Sequence, residues 1–136
     1  MTSLRTADKT KQKHQLIIVD DETDILHVLK SGIERNMNCE VAAFSDAAKA
    51  LDHFRKKCDA CDMVISDVRM PDMNGFEFVR RVKEIKPGVK VMLMTAFEIR
   101  QTEFEKVLPS TKIDGFIQKP GTTKSICATI ERVLEE

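Results

Sequence analysis

Leu16-Ile17-Ile18-Val19-Asp20-Asp21 is an apolar run that ends in two acids. The same pattern recurs along the chain. Met63-Val64-Ile65-Ser66 runs into Asp67, Val91-Met92-Leu93-Met94 into Thr95, and Phe116-Ile117-Gln118 into Lys119. Short, nearly continuous apolar runs are what strands look like when both faces of a parallel sheet are covered. Ligands of open α/β sheets bind at the carboxyl ends of the strands. One sheet edge would therefore gather three carboxylates, a hydroxyl and an ammonium. Those are the parts of a metal and phosphoryl site.

Helical patterns fill the gaps between the runs. A first helix is expected from Thr23-Asp24, with Ile25, Val28, Leu29 and Ile33 facing inward. Glu40-Val41-Ala42-Ala43-Phe44 reads as a short second strand. Ser45 or Asp46 can cap a helix that buries Ala47, Ala50, Leu51 and Phe54. Asn74-Gly75 could signal a hairpin, but Phe78, Val82 and Ile85 follow at helical spacing, so a helix is the better reading. Pro87-Gly88 ends it. The fourth strand is Val89 to Thr95, a helix is expected over 99–109 up to Pro109, and the fifth strand is Gly115 to Gln118. Thr123 to Glu135 completes the pattern, with Ile126, Ile130, Val133 and Leu134 inward. The alternation is (βα)5. With right-handed crossovers it predicts a doubly wound, five-stranded parallel sheet in the order 2-1-3-4-5.

A chain of 136 residues with 42% apolar and 32% charged residues suits a single globular domain. Residues 1–13 are expected to form a flexible tail and 14–136 the domain. No apolar stretch approaches the roughly 20 residues of a membrane helix, and Met1-Thr2-Ser3-Leu4-Arg5 leads into polar sequence with no signal core. The expected location is cytoplasmic, where the four cysteines stay reduced. Acidic and basic residues balance at 22 each, which gives no argument for nucleic acid.

Asp20, Asp21 and Asp67 would repel one another unless a cation sits among them. A few oxygen ligands suit Mg²⁺, which keeps several waters and binds one or two carboxylates plus a phosphate. A carboxylate can also accept a phosphoryl group. Lys119 supplies positive charge and Thr95 a hydroxyl donor to a phosphoryl oxygen. No His or Cys is placed as a general base.

The motifs Ile18-Val19-Asp20-Asp21-Glu22, Ser66-Asp67-Val68-Arg69-Met70-Pro71-Asp72-Met73-Asn74-Gly75, Met94-Thr95-Ala96 and Lys119-Pro120 stand in order at the strand ends. On these the chain resembles a response-regulator receiver domain of two-component signalling, a flavodoxin-like fold, from about residue 14 to 136. The resemblance implies that Asp67 accepts a phosphoryl group from a sensor histidine kinase or a relay phosphohistidine. It implies that Asp21 binds Mg²⁺ directly, Asp20 mainly through water, and the Arg69 backbone carbonyl as a further ligand. Thr95 and Lys119 would bind the phosphoryl group, and Phe116 would be the aromatic switch that turns inward with Thr95. It also implies a cis Lys119-Pro120 bond, and Arg69 and Phe97 as shields that slow self-dephosphorylation. The partners implied are a kinase or phosphotransfer protein and a downstream protein or output domain, with no direct nucleic-acid or membrane contact. The chain departs from the pattern in a slightly long stretch from Glu98 to Gly115, in Phe116 where tyrosine is more usual, and in Gly121.

Two other functions compete. A haloacid-dehalogenase-type phosphohydrolase also uses an aspartyl-phosphate and Mg²⁺. It needs an acid two residues after its nucleophile, where Arg69 follows Asp67 but Glu22 follows Asp20. A receiver-like module that is never phosphorylated is the other, and the intact acidic set argues against it. Cys58-Asp59-Ala60-Cys61 could hold zinc, but only His53 and Cys39 could complete four ligands, so loop and strand-edge thiols are the better reading.

Overall fold

The computed structural model describes residues 13–96, 111–119 and 121–136. Five strands form one sheet: β1 (His14–Val19), β2 (Cys39–Phe44), β3 (Met63–Asp67), β4 (Lys90–Thr95) and β5 (Gly115–Gln118). All pairings are parallel and the order is β2-β1-β3-β4-β5. This is the sheet that the alternation predicted. Helices α1 (Thr23–Asn36), α2 (Ala47–Lys57), α3 (Gly75–Ile85) and α4 (Thr123–Leu134) complete the described elements, with one short 3-10 turn at Cys58–Ala60. The expected helix over 99–109, residues 1–12 of the tail, Phe97 and Pro120 lie outside the described residues.

Each strand feeds two cores because its side chains alternate between faces. Ile17, Val19, Val64, Val91 and Leu93 point to one side, where Ala50, Leu51 and Phe54 of α2 and Phe78, Val79 and Val82 of α3 meet them. Leu16, Ile18, Met63, Ile65, Met92 and Met94 point to the other, against Leu26, Leu29 and Ile33 of α1 and Ile126, Ile130 and Val133 of α4. Phe54 and Phe78 are both fully buried. Burial of a side chain that size contributes roughly 1.5–3 kcal/mol. Helices on both faces explain why the strands read as apolar runs rather than alternations.

Several expectations are corrected. Val28 faces outward, 63% exposed, and Leu26 takes the inward place on α1. The apolar stripe of α1 is rotated by about one position from the spacing first chosen. Ile85 lies on the expected helix and, as the last residue of α3, is exposed. Of the two expected capping candidates, Asp46 is the one that caps α2, its carboxylate accepting from the backbone N–H groups of Ala48 and Lys49. The strand β4 begins at Lys90, and α4 ends at Leu134.

Candidate functional site

The last rungs of the ladder fix the polar residues at the carboxyl edge. Asp20 N–H donates to the Phe44 carbonyl at 3.1 Å, just past the end of β1. Asp67 is the last residue of β3 and pairs in register with Met94. Thr95 ends β4, and its carbonyl accepts from Lys119 N–H at 2.8 Å, which sets Lys119 beside it past the end of β5. Backbone pairing, not side-chain attraction, thus holds four polar residues at one edge.

Glycine lets the segment after Asp67 close. Gly75 N–H donates to the Val68 carbonyl at 2.8 Å, and a Cβ on Gly75 would overlap the Asp67 carbonyl oxygen. Only glycine permits α3 to start against the strand end. Asn74 caps α3 by accepting from Glu77 N–H at 2.9 Å, so Asn74-Gly75 opens a helix and not a hairpin. Asp72 has a φ of 69°, a conformation aspartate tolerates in turns, and it stays an exposed loop residue.

Lys119 is the hub of the edge. Its Nζ lies 2.6 Å from Asp20 Oδ2, 3.4 Å from Glu22 Oε1 and 3.5 Å from Asp67 Oδ2. Asp20 is fully buried, and its other oxygen accepts from Glu22 N–H at 2.9 Å. Asp67 Oδ1 accepts from Val68 N–H at 3.0 Å. One ammonium therefore serves three carboxylates. Burial pushes the Asp67 carboxyl up, with Asp20 and Asp21 adding to it, and Lys119 and the Val68 N–H oppose without cancelling. Burial pulls the Lys119 ammonium down, but the hydrogen bond and charge of Asp20, with Asp67 and Glu22, hold it above its usual value. Lys119 thus stays charged.

Asp21, Glu22, Asp67, Arg69, Thr95, Ala96 and Lys119 line a cleft of about 280 Å³ over this edge. Thr95 is buried and Arg69 exposed. Phe116 is half-buried, packed against the α2/α3 core. Among the described residues, one group of acids brings ligand atoms within 4.8 Å of one another: Asp20, Glu22 and Asp67. Asp21, the expected direct ligand, is exposed on the cleft wall and not in that group. Glu22 was not among the expected ligands. Its only signal was its place directly after the acid pair, and its side chain makes no capping bond to α1. All these donors are oxygens, a set that fits Mg²⁺.

The alternatives are answered by the same geometry. Asp20, the rival nucleophile, is buried with both oxygens engaged. The phosphohydrolase reading is not supported. Cys61 is buried, its thiol pushed up to about 11 by burial, and its Sγ donates to the Met63 carbonyl at 3.5 Å. That is a packed thiol rather than a reactive one.

Comparison with known proteins converges on one family. A family model described as response regulator receiver domain matches residues 16–131. The transcriptional regulatory protein ZraR of Escherichia coli K12 is 29% identical over 125 residues, which is 92% of this chain and 27% of ZraR. The alkaline phosphatase synthesis transcriptional regulatory protein PhoP of Bacillus subtilis is 26% identical over 121 residues, 88% of this chain and 48% of PhoP. The chain thus spans about a quarter to a half of these curated relatives. Among solved structures, the chemotaxis protein CheY4 of Vibrio cholerae superposes with a TM-score of 0.78 at 26% identity, over 90% of this chain and 99% of that one. A CheY-like receiver domain protein of Methanospirillum hungatei gives 0.81 at 24% identity, over 91% and 95%.

Proposed function

The chain belongs to the response-regulator receiver family, and from that premise we propose that Asp67 is the residue that takes the phosphoryl group. As a receiver domain it is a phosphoacceptor of two-component signalling and not an enzyme with a separate substrate. The observation that carries the assignment is the position of Asp67: it ends the central strand, borders the cleft, and lies 3.5 Å from the Lys119 ammonium.

The donor is a phosphohistidine on a sensor kinase or a phosphotransfer protein. An Asp67 carboxylate oxygen forms a bond to phosphorus in line with the leaving group. The P–N bond to imidazole breaks, and the freed nitrogen keeps its electron pair. The nucleophile is the carboxylate form of Asp67, which carries no proton to remove, so no general base is needed. Lys119 moves its charge toward the transferred group, and the Thr95 hydroxyl donates to one phosphoryl oxygen. Mg²⁺ held by Asp20, Asp21 and Asp67 side chains and the Arg69 carbonyl, with Glu22 bordering the same space, would supply the remaining neutralising charge. Phe116 and Thr95 then bias a population shift on the face built by β5 and α4. The signal passes to a partner protein or an output domain. The similarity to transcriptional regulatory proteins supports the second route.

The test is the mass of the intact chain after incubation with a small-molecule phosphodonor and Mg²⁺. One phosphoryl group is expected. It is absent in Asp67→Asn and absent in chelator. Equal incorporation in Asp67→Asn would sink the assignment.

Loss of the phosphoryl group follows from the same cleft. Arg69 lies two residues past Asp67 on the cleft wall, where a long cation screens the acyl phosphate from in-line water. The aspartyl-phosphate should be comparatively long-lived, and Arg69→Ala should shorten its life several-fold. An unchanged decay in Arg69→Ala would remove the shielding role.

A further inference from the structure

Cys58 and Cys61 stand at the two ends of the single 3-10 turn that leads into β3. Cys61 N–H donates to the Cys58 carbonyl at 3.2 Å and closes that turn. In a 3-10 helix the side chains of residues i and i+3 eclipse, about 6 Å apart along the axis. Disulfide-bonded cysteines have Cα atoms roughly 4.4–6.8 Å apart. The turn therefore sets the two thiols within bonding reach with little movement of the backbone. A side chain from the end of α3 pins it. Lys86 Nζ donates to the Cys58 carbonyl and to the Cys61 carbonyl, each at 2.7 Å.

The sheet sorts the four thiols into two pairs. Cys39 and Cys127 lie in the core under α1 and α4, whereas Cys58 and Cys61 pack on the opposite face with α2 and α3. Cys58 is half-buried, and the other three are buried. An oxidant in solution thus meets Cys58 first, and the thiol on the same face is Cys61. Burial pushes the Cys61 thiol up, and the neighbouring Asp62 and Cys58 add to it against the Lys86 charge. Cys61 is therefore suited to the second step rather than the first.

We propose that Cys58 and Cys61 form a redox-active dithiol, which hydrogen peroxide converts into a disulfide within the chain. The Cys58 thiolate attacks one peroxide oxygen. The O–O bond breaks, the other oxygen takes a proton and leaves as water, and Cys58 becomes a sulfenic acid. The Cys61 sulfur then attacks the Cys58 sulfur. The S–S bond forms, the S–O bond breaks, and the departing oxygen takes the Cys61 proton and leaves as a second water. Two thiols are oxidised and one peroxide is reduced. Burial makes Cys61 a slow nucleophile, and the pinned turn offsets this by holding it beside its target. The inference is independent of the phosphoryl site, which lies at the carboxyl edge of the sheet.

The test treats the folded full chain with hydrogen peroxide, then unfolds it, blocks the remaining thiols with iodoacetamide and weighs the tryptic segments. Lys57 and Arg69 bound one segment, 58–69, that contains both Cys58 and Cys61. It should emerge unblocked and two hydrogens lighter, and dithiothreitol given before the block should restore both thiols. Cys39 and Cys127 should be blocked throughout. Cys61→Ser should stop at the sulfenic acid of Cys58, which dimedone captures, and Cys58→Ser should leave Cys61 reduced. The natural chain alone decides should either variant fail to fold. A segment 58–69 that stays reduced overturns the proposal, as does one that closes only in urea. Sulfinic acid building up on Cys58 of the natural chain overturns it too, because Cys61 would then not resolve the first step.

Discussion

The two ends of the sheet both hold lysine against aspartate, yet they are built for opposite purposes. At the amino end, Asp114 has a side chain only 2% exposed, and its Oδ2 accepts from Val91 N–H at 2.9 Å and from Lys83 at 3.2 Å. Nearby, Lys86 donates to the carbonyls of Cys58 and Cys61, each at 2.7 Å. Donors and acceptors there are matched. At the carboxyl end, Lys119 faces Asp20, Glu22 and Asp67 together. The surplus of negative charge is what a divalent cation can exploit. One end joins α3, β4 and β5, and the other keeps charge in reserve.

That contrast can be tested at the amino end first. Asp114→Ala leaves the Val91 N–H without its acceptor and the Lys83 charge without its partner. Breaking a buried pair this way costs about 3 kcal/mol, the low end for such pairs, since Lys83 retains some access to water. Denaturant unfolding should show that loss, with phosphoryl acceptance retained below the transition. A loss well under 1 kcal/mol would mean that this end is not the clamp described. A smaller effect is expected from Gly75→Ala, where the new methyl meets the Asp67 backbone. Crowding of this kind costs about 1–3 kcal/mol. Because the shift falls on Asp67, the proposed phosphoacceptor, the rate of phosphoryl acceptance should drop more than the stability does. The reverse order would show that α3 yields and Asp67 does not.

The parts that could be read from the chain are those set by local periodicity. Buried strands appear as apolar runs, and each run happens to end in the residue that the sheet edge presents. Asp67, Thr95 and Lys119 were legible for that reason, and the four motifs in order named the family. What was not legible depends on tertiary placement. The inward face of α1 was misjudged at Val28 because two neighbouring stripes share nearly the same spacing, and only packing against β1 and α4 selects Leu26. Glu22 was read only as the acid two places after Asp20, ahead of a helix expected from Thr23-Asp24, and nothing local turns its carboxylate toward a lysine 97 residues away. The hydrogen bonds of Lys30 and Glu34 to the Val41 backbone carry no local signal, because they depend on the tertiary placement of α1 beside β2.

The smallest expected effect is also the sharpest test of the comparison. Burial, with the charges of Asp20 and Asp21, holds the Asp67 carboxyl above its usual value despite Lys119 and the Val68 N–H. A carboxyl whose folded pKa exceeds its unfolded one makes the charged form a cost to folding. That cost is complete above the folded pKa, shrinks as pH falls through it, and is gone below the unfolded value. In chelator at neutral pH, Asp67→Asn should therefore melt higher than the natural chain. The margin should close as pH is lowered into the ordinary carboxylate range, where both side chains are neutral. Adding Mg²⁺ should reverse the ranking, because ligand binding stabilises the natural chain by about 2.7 kcal/mol at a hundredfold excess over Kd, and the variant by less. If Asp67→Asn melts lower in chelator, crowded charge does not strain the carboxyl end, and the two ends differ in solvent access rather than in design.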